Sequence, residues 1–366
     1  MSEKGDIRGF SKSPYMKVSY PRDMAISAFD TPFRRKWMVV GIALLLALPF
    51  VARPFFVHIA NLILIACIGA MALNLVTGVA GLLSLGHAGF MCAGAFTVGI
   101  CGSRWGMPIW FSLPAAGVVG AFLGLVASLP SFRLKGLYLG ISTLAMHFII
   151  YYAASEYQFN AGYGHSIKVV DPSIGPFVIS GEKSWYFVLA GFVWVTALFI
   201  TNLLRSRPGR AWIAIRDRDI SARAMGINIG RYKILAFMVG TAITSIGGGL
   251  YAYYTNMVSA DEYTFYLTVS YLAMIIVGGT GSVLGSIMGA VLITLIPHLL
   301  MYIFGLINVP IALKEYFFAL ESGLFGLMIV IFILVEPLGM VEIWRRIRAF
   351  FELWPFKYRP LMITKR

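Results

Sequence analysis

The first place in this 366-residue chain where chemistry could sit is a histidine inside an apolar run, LVTGVAGLLSLGHAGFMCAGAF (75–96). His87 lies between Gly86 and Gly89, with Ser84 three residues upstream and further glycines at 78, 81 and 94. An imidazole in hydrocarbon needs a partner or water. His87 therefore either lines a polar path or is bonded to Ser84 or a neighbouring carbonyl and fixes the shape of the run. A metal centre is disfavoured: His58, His87, His147, His165 and His298 each lack a second ligand at useful spacing. The apolar segments also hold no Ser/His/Asp set and no paired carboxylates, which disfavours an enzyme.

The elements that must position these residues are membrane spans. Hydrophobic residues make up 59% of the chain and charged residues only 13%, against roughly a quarter charged in soluble domains. No Asp, Glu, Lys or Arg lies between Pro54 and Ser103, room for two crossings of about 20 residues each. Apolar segments fall at 37–52, 56–77, 86–102, 108–130, 137–155, 185–204, 233–254, 266–278, 283–304 and 320–335. The expected fold is an all-α polytopic membrane protein of about ten transmembrane helices. Cys67, Cys92 and Cys101 sit in apolar segments without CxxC spacing and read as small buried thiols.

Charge sets the expected orientation. The net charge of +14 is the mark of basic cytoplasmic loops rather than of nucleic-acid binding, because the loops lack interleaved aromatics. Residues 1–36 carry eight Lys or Arg against four Asp or Glu, and the tail from Pro337 carries seven against two. Both termini are therefore expected in the cytoplasm, with tails 1–36 and 337–366 flanking a membrane domain 37–336. A loop at 156–184 is expected outside and a basic loop at 205–232 inside; only the short loop bearing Arg104 departs from the pattern.

Irregular backbone at membrane depth is tolerated only where it is buried in protein or lines an aqueous path. Two glycine clusters read as such breaks, 78–89 and, in VGGTGSVLGSIMGA (277–290), Gly278, Gly279, Gly281 and Ser282. Paired breaks in the two halves of a chain point to a transport site. Gly94, Gly99, Gly285 and Gly289 read instead as close helix packing.

A third segment, RSRPGRAWIAIRDRDISARAMGINIGRYK (205–233), is basic. Pro208 and Gly209 should stop the preceding span, 211–225 should be helical, and Gly226 should end it. At 100° per residue Ala211, Ala214, Ile215, Ala222 and Met225 form one apolar stripe, with Ile213, Ile220 and Ala224 opposite. Such a helix fits a position between its own spans and a partner's groove; the competing reading is a helix lying on lipid head groups.

The acidic residues lie outside or at the edges of the apolar cores, which counts against ion relays and so against the alternative of an ion-coupled secondary transporter acting alone. GxxxxGK[ST] is absent, so an ATP-driven system needs its ATPase in another chain, docked at 205–233.

These residues resemble a known family, the permease subunits of high-affinity branched-chain amino acid ABC importers of LivM type. The resemblance runs from about Trp37 and is strongest in MALNLVTGVAGLLSLGHAGFMCAGAF (71–96), LKGLYLGISTLA (134–145), GRAWIAIRDRDISARAMGI (209–227), RYKILAF (231–237) and VGGTGSVLGSIMGA (277–290). It implies a multi-pass protein of the bacterial inner membrane with a homologous LivH-type permease, two cytoplasmic ATPase subunits and a periplasmic solute-binding protein as partners. ATP and Mg would be bound by the ATPases, leaving no cofactor in this chain. Gly209, Arg210, Ala211, Ile213, Arg216, Asp217, Arg218, Ala222 and Gly226 would form the coupling helix. Asn74, Gly78, Gly81, Ser84, Gly86, His87, Thr143, His147, Gly278, Gly279, Gly281 and Ser282 would belong to the translocation path or its broken helices. The chain departs from the family at QFNAGYGHSIKV (158–169) and at His147 after TLAM. Because the family also takes urea, amides, and aromatic or other small carboxylates, these departures leave the solute open.

Overall fold

The computed structural model describes residues 45–306, except 133–135, 162–165, 171, 175, 176 and 180, together with 323, 326, 327, 330, 331, 334 and 339–353. The expected tail 1–36, half of the first crossing (37–52), most of the tenth (320–335) and much of the tail 337–366 lie outside these residues, as does His165. The chain divides into two units, Met1–Val57 and His58–Arg366. Of the first, 45–51 are helical, and Pro54 opens α1 (Pro54–Leu73), which runs on into the second.

In the second unit the order is α1, a π-helical turn Asn74–Val79, α2 (His87–Trp105), α3 (Ile109–Ser128) with a 3-10 turn Leu129–Phe132, and α4 (Leu137–Asn160). The two-residue strands β1 (Ile167–Lys168), β2 (Ser173–Ile174) and β3 (Phe177–Val178) follow, then α5 (Glu182–Arg205), α6 (Arg207–Asp217), α7 (Asp219–Ala224) and α8 (Ile229–Thr255). Strand β4 (Met257–Val258), a 3-10 turn Ala260–Glu262, α9 (Phe265–Gly278), α10 (Val283–Leu306) and α11 (Met340–Leu353) complete the described elements.

Among the described residues five helices are long and apolar enough to cross a membrane: Pro54–Val79, Ile109–Ser131, Leu137–Asn160, Glu182–Arg205 and Ile229–Thr255. The 14 residues of α9 rise about 21 Å at 1.5 Å each, short of a hydrocarbon core of about 30 Å. It ends at a glycine break, and α2 begins just past the other. The helix ends left free at the two breaks must be satisfied inside the protein.

Small residues set the packing. A Cβ on Gly94 of α2 would overlap the Ser245 backbone of α8, and one on Gly248 of α8 would overlap the Met91 backbone of α2. Gly285 and Gly289 of α10 meet the Gly279 and Met274 carbonyls in the same way, whereas Gly99 makes ordinary contact with Val258 and Ile167. Polar cross-links reinforce the packing: Ser245 Oγ donates to the Phe90 carbonyl (2.7 Å) between α8 and α2, and Ser112 Oγ and Tyr253 OH are bonded at 2.6 Å between α3 and α8. At the start of α5, Glu182 accepts from Asn61 Nδ2 (2.9 Å) on α1 and from Tyr254 OH (2.6 Å) on α8. Cys67, Cys92 and Cys101 are free and buried.

The expected outer loop does not stand alone. Strand β1 pairs antiparallel with β4, Ile167 opposite Val258, and Gln158 Oε1 accepts from the Ala260 amide (3.0 Å). Residues after α4 are thereby pinned to residues after α8.

The basic loop differs from its expected form. The span α5 ends at Arg205, and Pro208 falls in the first turn of α6, where its missing N–H has no intrahelical acceptor to lose. The expected single helix 211–225 is two: Arg218, at φ −155° and ψ 105°, breaks it between α6 and α7. The break rotates the second part, so Ala211, Ile215 and Ala222 are buried as expected but Met225 is 82% exposed.

Candidate functional site

The two glycine breaks, about 200 residues apart in sequence, form one structure, and Asn74 joins them. Asn74 stands at the start of the π turn, buried to 3% exposure. Its Oδ1 accepts from the Gly281 amide (2.8 Å), and its Nδ2 donates to the Ser282 carbonyl (2.9 Å) and to Ser286 Oγ (2.7 Å). One side-chain amide thus uses both donors and its acceptor on the second break, which is how unpaired backbone at membrane depth is made tolerable. Gly78 must be glycine for this: a Cβ there would overlap Asn74 Oδ1 and the Gly281 amide. Gly281 turns the chain at φ +81°, open to glycine without strain.

Arg216 of α6 reaches the same place. Its Nη1 donates to the Gly78 carbonyl, its stem lies against Gly81, and its guanidinium is beside Gly281. The basic-loop helix α6 is therefore in direct contact with both breaks. The remaining loop residues divide by exposure. Gly209 is buried with its Cα against the Leu203 and Leu204 backbone, while Arg210, Ile213, Asp217, Arg218 and Gly226 are exposed. Ile213 and Ile220, at 45% and 81% exposure, give this surface apolar character.

On the other side of the first break, α4 supplies the support. Thr143 Oγ1 accepts from the Leu85 amide (2.9 Å) and donates to the Gly140 carbonyl (2.8 Å), and the Thr143 carbonyl lies against Gly86. Thr268 Oγ1 of α9 accepts from the Ala88 amide (3.0 Å), one of the donors a helix start leaves unpaired. Ser84 is buried beside this stretch.

His87 is 2% exposed and bonds through Nδ1 to Thr244 Oγ1 (3.4 Å), with its ring against Tyr271 at 4.6 Å between centroids. This corrects the expectation of Ser84 or a nearby carbonyl as partner: α8, not the run itself, holds the imidazole. His147 is buried behind Gly89, its ring near Tyr151 and Phe265, with Nδ1 unpaired. Neither histidine belongs to a cluster with metal-binding potential among the described residues.

Asn74, Gly78, Gly281, Ser282 and Arg216 are thus brought together, while on α4 Thr143 meets Gly86 and His147 meets Gly89. Trp212 was not singled out from the sequence, yet among the described residues it is the largest side chain buried below 2% exposure, its Nε1 donating to the Tyr232 carbonyl (2.8 Å). Lys233, counted with the loop's basic charges, is buried with Nζ on the Ser131 carbonyl (3.2 Å). The signals available were a tryptophan in a basic loop and a lysine at the start of an apolar run.

Five membrane-length helices among the described residues and two glycine breaks sewn together inside the protein define a multi-pass membrane permease. The chain belongs to the family Branched-chain amino acid transport system / permease component, whose profile matches residues 55–333. It is 30% identical over 301 residues to the high-affinity branched-chain amino acid transport system permease protein LivM of Escherichia coli (strain K12), covering 75% of this chain and 71% of that protein. The probable branched-chain amino acid transport permease proteins LivM and LivH of Methanocaldococcus jannaschii are 27% and 23% identical, over 62% and 66% of this chain and 66% and 78% of their own lengths. No solved structure matches the chain.

Proposed function

We propose that the chain is one of two homologous permeases in a binding-protein-dependent ABC importer of the bacterial inner membrane. It carries branched-chain or other hydrophobic amino acids, or a related small solute such as an amide, urea, or an aromatic or small carboxylate. ATP hydrolysis in two separate cytoplasmic subunits drives it, and a periplasmic protein delivers the solute.

The observation that supports this reading is the contact of Arg216 with Gly78. A helix with an exposed face of Arg210, Ile213, Asp217 and Arg218 is a fit surface for an ATPase, and through Arg216 its displacement acts directly on the two breaks. A rigid link of this kind is what a two-state transport element needs if events at one face are to bias openings at the other.

The reading is tested by purifying the protein in mild detergent and assaying uptake after reconstitution. An importer co-purifies with a second permease and two ATPases, and takes up solute only with ATP. Solitary purification with uptake on an ion gradient alone would establish the secondary carrier instead.

A further inference from the structure

The transport reading gives no role to α11 (Met340–Leu353). This helix starts at the second break. Gly339 turns the chain at φ +77° with its Cα against the Gly278 and Gly279 backbone, where a side chain would overlap. Val341 is buried against Gly285 of α10. Arg216 of α6 reaches the same break at Gly281, so two basic segments meet there.

Beyond this anchor α11 is amphipathic. At 100° per residue Met340, Ile343, Trp344, Ile347, Phe350 and Phe351 fall on one arc of about 120°, and Val341 lies off it. By register Arg346 and Arg348 flank the arc on either side, while Arg345 lies opposite, bonded to Glu342 (3.4 Å). The helix is thus attached to the protein by a residue outside its apolar stripe. Within the stripe Ile343, Trp344 and Ile347 are 39%, 50% and 46% exposed.

The chemistry of that face fits lipid. A stripe of aromatic and branched side chains edged by arginines sinks to the acyl boundary while the guanidinium groups reach the phosphates. Trp344 stands at the edge of the stripe, where an indole suits the head-group level. From Met340 to Arg366 the chain carries seven Lys or Arg against two Glu, an excess complementary to anionic head groups.

We infer that α11 is a lipid-binding helix: its stripe lies in the acyl boundary of the leaflet nearest the second break, and Arg346 and Arg348 take the phosphates of anionic phospholipid. The inference goes beyond the transport reading and stands whether or not ATP drives uptake.

The intact transporter is placed in phosphatidylcholine nanodiscs that contain diazirine-bearing phosphatidylglycerol or, at the same mole fraction, diazirine-bearing phosphatidylcholine. After irradiation, peptide mass spectrometry reads the adducts on 340–353. Phosphatidylglycerol should label at least about fivefold more than phosphatidylcholine at low salt, a factor that one arginine near an anionic surface supplies. The ratio should fall to within about twofold of parity at about 1 M salt, where screening acts over roughly 3 Å. Arg346→Gln with Arg348→Gln should bring the same fall at low salt and leave labelling by phosphatidylcholine in place, because the stripe is untouched. Ile343→Asp with Ile347→Asp should remove the adducts of both lipids. The salt series on the unaltered chain decides the matter if a variant does not assemble. No adducts on 340–353, which would mean that protein covers the stripe, overturns the inference. So does equal labelling by the two lipids at low salt, or a ratio indifferent to salt.

Discussion

Replacing Asn74 by leucine keeps the side-chain bulk and removes every polar link that this residue makes between the breaks. Three hydrogen bonds are lost, to the Gly281 amide, the Ser282 carbonyl and Ser286 Oγ. Each is worth about 1 kcal/mol net. The losses are unequal in consequence: Ser286 Oγ still donates to the Ser282 carbonyl (3.1 Å), so those two groups keep one partner between them. The Gly281 amide, part-buried, is left with none, and orphaning such a donor costs about 1 kcal/mol or more. The expected total is about 3 kcal/mol of local stability, or roughly two decades at 1.36 kcal/mol per decade. Hydrogen exchange of the intact complex, read on peptides covering 279–286, should show about 100-fold loss of protection there and little change in α8. A double cycle with Ser286→Ala should be non-additive, since the two side chains share a bond. Protection of 279–286 within about threefold of wild type would refute the claim that Asn74 holds the breaks together.

Gly78→Ala should cost about 2 kcal/mol, because the new methyl overlaps Asn74 Oδ1 and the Gly281 amide; thermal unfolding in detergent measures it, and Gly102→Ala, with open space around it, is the neutral control. Trp212→Phe should lose about 1 kcal/mol with the bond to the Tyr232 carbonyl, and Trp212→Ala about 3–5 kcal/mol, by the same measurement. Burial raises the Glu262 carboxyl above 4.5. From there up to its raised value, the folded chain keeps a proton that the unfolded chain has released, so this group's contribution to stability falls as pH rises through that window. Glu262→Gln should accordingly be more stable than wild type at neutral pH and equal to it at about pH 4; a variant less stable at neutral pH has the wrong sign.

The glycine clusters were readable because a break in an apolar run is a local property: 78–89 and 278–282 are the irregular ends of α1, α2, α9 and α10. What joins them was not. The partners of Asn74 lie 207 to 212 residues away, and Arg216 meets Gly78 across 138; no periodicity reports such pairings. The loop helix was legible in position but not in form, because nothing in its residue types marks the extended conformation of Arg218 that divides it. Glu262 carries no sequence signal of its own, and only the fold shows that the turn at 260–262 borders a cavity.

The central claim is that α6 acts on the breaks through Arg216, and the ratio of solute taken up to ATP hydrolysed in proteoliposomes of the whole transporter tests it most directly. With Arg216→Ala, which removes the guanidinium from the Gly78 carbonyl, hydrolysis should continue while uptake per ATP falls at least about tenfold, the equivalent of 1.4 kcal/mol of lost coupling. Uptake per ATP equal to wild type in the assembled Arg216→Ala transporter would contradict it.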